Sequence, residues 1–148
     1  MATVELSFTA LPAHVRTARL VATAVARRSG VDESLLDEVR LAVGEACSRA
    51  VEGHQLYCPA EPVRLSLTDL AGRFEVEVTD TCAPRARLPA GQEAVGAVAG
   101  GHGAGNNGGL PASIGIAVIE GLADDVQISE TAAGTSIRMS WPSSGASR

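Results

Sequence analysis

Three sets of residues in this 148-residue chain have types and spacings that could do chemistry. Glu45 and Arg49 stand four apart in a stretch of helical periodicity, so both leave the same helix face. Two uses are open to them. They can pair with each other, worth about 0.3 to 0.5 kcal/mol at a surface, or the forked guanidinium of Arg49 can meet a phosphate. Asp80 ends an alternating apolar run, where a carboxylate commonly forms a turn. Cys47, Cys58 and Cys82 are odd in number, at spacings of neither a zinc knuckle nor a disulfide framework, and His14, His54 and His102 complete no ligand cluster. The cysteines therefore read as reduced, packed thiols, and no metal-ligating residue is assigned.

Composition closes other routes. All twelve basic residues are Arg, which excludes a Walker phosphate loop, a Schiff base and a lysine general base. A net charge of -5 disfavours a sequence-nonspecific grip on nucleic acid, because neutralising phosphates needs a positive surface. No stretch reaches the roughly 18 apolar residues that span a bilayer, and residues 1–10 lack the basic and apolar regions of a secretory leader. The expectation is a cytoplasmic domain that binds neither membrane nor nucleic acid.

The elements that must position these groups follow from periodicity. Val4, Leu6 and Phe8 alternate with polar residues as in a half-buried strand. Residues 12–28 repeat apolar types at helical spacing, with Pro12 in the first turn and Gly30 as the stop. A second helix opens with Asp32 as N-cap and runs to Gly53, followed by a loop to Pro62. Val63, Leu65 and Leu67, then Phe74, Val76 and Val78, predict an antiparallel hairpin turning at Ala71-Gly72. Eight of the sixteen glycines fall between Gly91 and Gly109, where Glu93 is the only charge, which predicts a mobile loop. A third helix is expected over 113–123, then strands around 126–129 and 136–141, with a disordered tail over 143–148. The order β-α-α-β-β-loop-α-β-β predicts a two-layer α/β sandwich: a mixed, mostly antiparallel sheet with three helices on one face.

Four segments, in order, resemble the nucleotide-binding boxes of the GHKL superfamily of histidine-kinase-like ATPases, and specifically its small anti-sigma-factor serine kinases. They are Asp37 to Ala46, Val76 to Asp80, Gly115 to Ile119 with Leu122-Ala123-Asp124, and Gly134-Thr135. The resemblance covers nearly the whole chain and implies one histidine-kinase-like ATPase domain over 1–142, with 84–111 in the place of an ATP lid. It implies Glu45 as the residue that activates an attacking hydroxyl, Asp80 and Thr135 as the adenine contacts, and Ser113 and Gly115 at a phosphate-binding helix start.

Departures from the pattern carry as much information. Arg49 replaces the asparagine that holds Mg²⁺ in relatives, and a guanidinium offers donors only. Cys82 and Pro84 replace both glycines after the adenine aspartate, and Gly108-Gly109 lie upstream of Pro111 rather than at the helix start. ATP or ADP binding is thus expected to be weakened, Mg²⁺ not to be held, and kinase activity to be slight or absent. The implied role is an anti-sigma-factor-like regulator binding a sigma factor or an anti-anti-sigma protein, with Arg16 and Arg19 as partner contacts and homodimerisation as in relatives. Two alternatives stand beside it: a working ATP-dependent serine kinase that phosphorylates an anti-anti-sigma protein, and a scaffold with neither nucleotide nor sigma partner.

Overall fold

The computed structural model describes residues 2–82, 112–132 and 134–144. Strand β1 (Ala2–Phe8) leads into helices α1 (Pro12–Arg28) and α2 (Glu33–Tyr57), then strands β2 (Val63–Leu70) and β3 (Arg73–Asp80). After the segment 83–111 come helix α3 (Ala112–Leu122) and strands β4 (Asp125–Thr131) and β5 (Gly134–Pro142). The five strands form one sheet in the order β1-β2-β3-β5-β4. Every pair is antiparallel, where the sequence left room for a parallel one.

Alternation along the strands decides which face is covered. Val4, Leu67, Val76, Met139 and Val126 fall in one row across the sheet, and Leu6, Leu65, Val78, Ile137 and Ile128 in the next. The middle members of both rows are almost fully buried, because this side receives the helices. On the solvated side Arg138 reaches Glu75 at 3.7 Å and Glu77 at 3.8 Å. Such half-exposed pairs are each worth little, so the helix-facing rows hold the sheet together.

Helix α2 lies at the centre of the helical layer, touching α1, α3, β2, β3 and β5. Its start is as expected: the Asp32 carboxylate accepts the Ser34 amide at 2.9 Å. Its end is not. The helix continues through Gly53 to Tyr57, so the loop expected from Gly53 is five residues shorter at its start. A glycine in a helix interior costs about 1 kcal/mol against alanine, yet the helix carries on to place the next residue, His54, wholly buried with both ring nitrogens hydrogen-bonded. Trp141 ties the third helix to the sheet, its indole N–H donating to the Leu122 carbonyl at 3.0 Å.

The expected hairpin turn, third helix and last two strands are all present, with ends shifted by one to three residues. Of the tail expected to be disordered, Ser143 donates its amide to Gly72 O at 3.1 Å and Ser144 to Gly30 O at 2.9 Å. Residues 145–148 and the Gly-rich segment expected as a mobile lid lie outside the described residues.

Gly134 marks the tightest approach in the sheet. It has φ of +147°, and a Cβ there would run into the Asp80 carbonyl oxygen. Gly72 has φ of +78° but open space around it. Gly134→Ala is expected to cost at least about 2 kcal/mol, since conformation and contact both oppose it, and Gly72→Ala about 1 kcal/mol. Urea denaturation of the two variants checks the order; equal losses would show that the contact with Asp80 carries no weight.

Candidate functional site

One face of α2 carries most of the chemistry. Glu45, Arg49 and Glu52 recur at i, i+4 and i+7, so a single guanidinium serves two carboxylates. Helix α3 closes over this row at Gly115: a Cβ there would lie 2.7 Å from Glu45 Oε2 and 3.3 Å from Arg49 Cδ. The structure thus brings Glu45, Arg49 and Gly115 together. Ser113 falls in the first turn of α3.

The cover changes the electrostatics. Burial pushes the Glu45 carboxyl above its ordinary range, and the positive charge of Arg49 pulls it partly back. Burial also raises Glu52, the negative charge of Glu45 raises it further, and Arg49 again opposes. Glu52 was not singled out from the sequence. Its signal was there in the spacing, three residues beyond Arg49 and seven beyond Glu45.

The other end of the site is built where α2 meets the end of β3. Asp80 and Thr135 are direct partners across β3 and β5, so these two candidates meet. Asp80 is 9% exposed, and its Oδ1 accepts the Cys82 amide at 2.8 Å, the aspartate turn expected of a carboxylate at a strand end. His54, wholly buried, lies beneath it. The ring Nδ1–H donates to Glu61 O at 2.8 Å, and Nε2 accepts the Thr81 amide at 3.0 Å. An acceptor at one nitrogen and a donor at the other hold a neutral imidazole. Asp80 Oδ1 is 3.7 Å from Nε2.

The expectation for the cysteines is corrected here. Cys58 and Cys82 form a disulfide with Cα atoms 5.8 Å apart, and His54 lies with both sulfurs in one cluster. The two cysteines are 24 residues apart in sequence, and the β2-β3 hairpin returns one beside the other. Local spacing could not reveal that. Cys47 alone conforms: it is a free, buried thiol, pushed up to about 12 by burial against the pull of Arg19.

The two arginines assigned to partners differ. Arg16 is exposed on α1, while Arg19 is half-buried with its stem across Gly44 of α2, whose Cβ would lie 2.6 Å from Arg19 Cδ. Among the described residues no helix is long and apolar enough to cross a membrane.

An open antiparallel sheet, helices on one face, and acidic groups on the central helix and at an inner strand's end define a class of two-layer domain with its site between the layers. Residues 8–141 match the model of the histidine kinase-like ATPase domain, and the chain belongs to that family. In fold it is similar to the crystal structure of the RsbU and RsbW domains of Rv1364c from Mycobacterium tuberculosis, with a TM-score of 0.63 at 19% identity. That likeness covers 95% of this chain and 32% of the other, so the present chain spans about a third of its length. No curated protein matches the sequence closely.

Opening the Cys58–Cys82 crosslink, by Cys82→Ser or by reduction with a chelator present, is expected to cost about 3 kcal/mol for a closed loop of this size. Urea denaturation with and without reductant measures it, and an unchanged midpoint would mean that the pair does not crosslink the chain.

The raised carboxyls set a pH dependence. Their protonated forms are favoured in the folded state, so the penalty is present above the raised folded values and relieved as pH falls through them. Glu52→Gln is expected to stabilise the fold at neutral pH by no more than about 0.5 kcal/mol, both groups being half-solvated. The advantage should shrink on acidification in the same denaturation assay; a loss at neutral pH would show that attraction to Arg49 outweighs burial.

Proposed function

We propose that the chain is an anti-sigma-factor-like regulator acting in the cytoplasm: it holds a sigma factor or an anti-anti-sigma protein on its surface, binds ATP or ADP weakly and transfers little or no phosphate. The observation that carries this reading is the cation end of the site. A guanidinium stands on α2 where a metal-binding amide belongs in the family, and α3 packs its backbone at Gly115 directly against Glu45 and Arg49. The donor set is wrong for Mg²⁺, which takes oxygen ligands in octahedral array. Phosphoryl transfer relies on that ion for positioning and neutralisation, so its loss removes far more rate than a lost adenine contact.

Support for retained adenine contact is separate. Asp80 and Thr135 stay paired across the sheet, although the Asp80 side chain is only 12% exposed and already accepts a backbone amide. Adenine binding through such a carboxylate is weak because the bond it offers is partly spent. On the partner side, Arg16 is the exposed cation and Arg19 the half-buried one, so Arg16 contributes more to docking.

One observation favours the serine-kinase alternative. Desolvation raises the proton affinity of Glu45, as a general base requires, and Arg49 would then neutralise phosphate charge in place of a metal. Calorimetry with ATP and ADP, with and without Mg²⁺, tests the two readings together with a phosphoserine assay on a candidate anti-anti-sigma protein. Weak binding that Mg²⁺ does not enhance, and no transfer, is the expected result; Arg49→Asn is expected to restore an Mg²⁺ effect of about tenfold. Transfer that Glu45→Gln abolishes would establish the kinase. Failure of both a sigma factor and an anti-anti-sigma protein to bind would overturn the regulator.

A further inference from the structure

We propose that, in its dithiol form, the chain binds a thiophilic divalent cation of the zinc type through His54, Cys58 and Cys82, with Asp80 as the fourth ligand. One ligand atom from each of the first three lies within 4.8 Å of the others. Sulfur at about 2.3 Å and nitrogen at about 2.0 Å from a tetrahedral zinc place such atoms about 3.5 to 3.8 Å apart, so modest side-chain rotation completes the geometry. Asp80 Oδ1, 3.7 Å from His54 Nε2, is a few tenths of an ångström outside the ligand-to-ligand spacing of about 3.3 Å for nitrogen and oxygen.

The imidazole is prepared for the task. Its Nδ1–H is fixed on Glu61 O at 2.8 Å, which leaves the Nε2 lone pair facing the cluster and supplies the outer hydrogen bond that orients metal-bound histidines. His54 is 0% exposed and carried on a long helix, so little ordering remains to be done. Against this stands one bond: the Thr81 amide must leave Nε2 for the metal to arrive.

Disulfide and metal exclude each other. A trialkylphosphine with water reduces the Cys58–Cys82 bond to two thiols and is itself oxidised to the phosphine oxide. The cation then displaces one proton from each thiol, while His54 donates its lone pair as neutral imidazole. Two thiolates and an imidazole select a borderline-soft ion over Mg²⁺ or Ca²⁺. Occupancy takes the Asp80 carboxylate as a ligand and so closes it to any other partner.

The test is a titration of the full chain, reduced and freed of phosphine, with Co²⁺ chloride and then Zn²⁺. One equivalent of Co²⁺ should give thiolate-to-cobalt charge-transfer bands and the intense visible absorption of tetrahedral cobalt, both bleached by Zn²⁺. The oxidised chain and Cys82→Ser should give neither, and Cys47→Ser should give both. The reduced wild-type chain already lacks the crosslink, so Cys82→Ser folded by circular dichroism isolates the ligand from the staple. Absence of thiolate bands in the reduced wild type, or their persistence in Cys82→Ser, would overturn the proposal.

Discussion

The burial of helix α2 is the constraint on which the rest depends. It is covered by α1 and α3 and underlain by β2, β3 and β5, so its sequence must satisfy several neighbours at once. Leu36, Val39, Val43, Ala46, Ala50 and Val51 supply the apolar surface, and small residues let neighbours come close. Gly44 admits the stem of Arg19, and Gly53 passes near the Asp80 carboxylate, whose Oδ2 would lie 3.9 Å from a Cβ there. Where α3 packs at Gly115, the polar residues Glu45 and Arg49 of that helix lie directly beneath it.

That arrangement explains why the two ends of the site differ in character. Along residues 45–52, burial works against both Glu45 and Glu52, the charge of Glu45 adds to it at Glu52, and Arg49 compensates both. One guanidinium thus answers two carboxylates within the helix. Around His54 and Asp80, the backbone amides of Thr81 and Cys82 and the carbonyl of Glu61 hold the imidazole and carboxylate. Groups held by the main chain are fixed more firmly than groups held by long side chains, which lose rotamer freedom to meet.

How much of this was legible depended on whether the signal was local. Strand alternation, the Asp32 cap, the Ala71-Gly72 turn and the apolar stripe of α2 each rest on a few neighbouring residues, and each is present. Glu45, Arg49, Gly115, Asp80 and Thr135 came from ordered segments resembling a family, and the fold brings them into two clusters. The pairing of Cys58 with Cys82 was missed because it is made by a hairpin's return and not by spacing. The extension of α2 past Gly53 was missed because the glycine was weighed alone, without the tertiary partners that His54 finds at Glu61 and Thr81. Glu52 had a helical spacing that pointed to it, and only its partial burial beside Glu45 and Arg49 gives that spacing consequence.

The strand order has an implication for how the molecule is assembled. β5 lies between β3 and β4, and the residues just after it bond to the turns at Gly72 and Gly30. A nascent chain emerging from the ribosome therefore carries an unzipped sheet until its last strand is free to slot into the gap. Contacts so distant in sequence close slowly. In that interval β3 is an uncovered sheet edge, a template for wrong strand pairing that closes only when β5 docks.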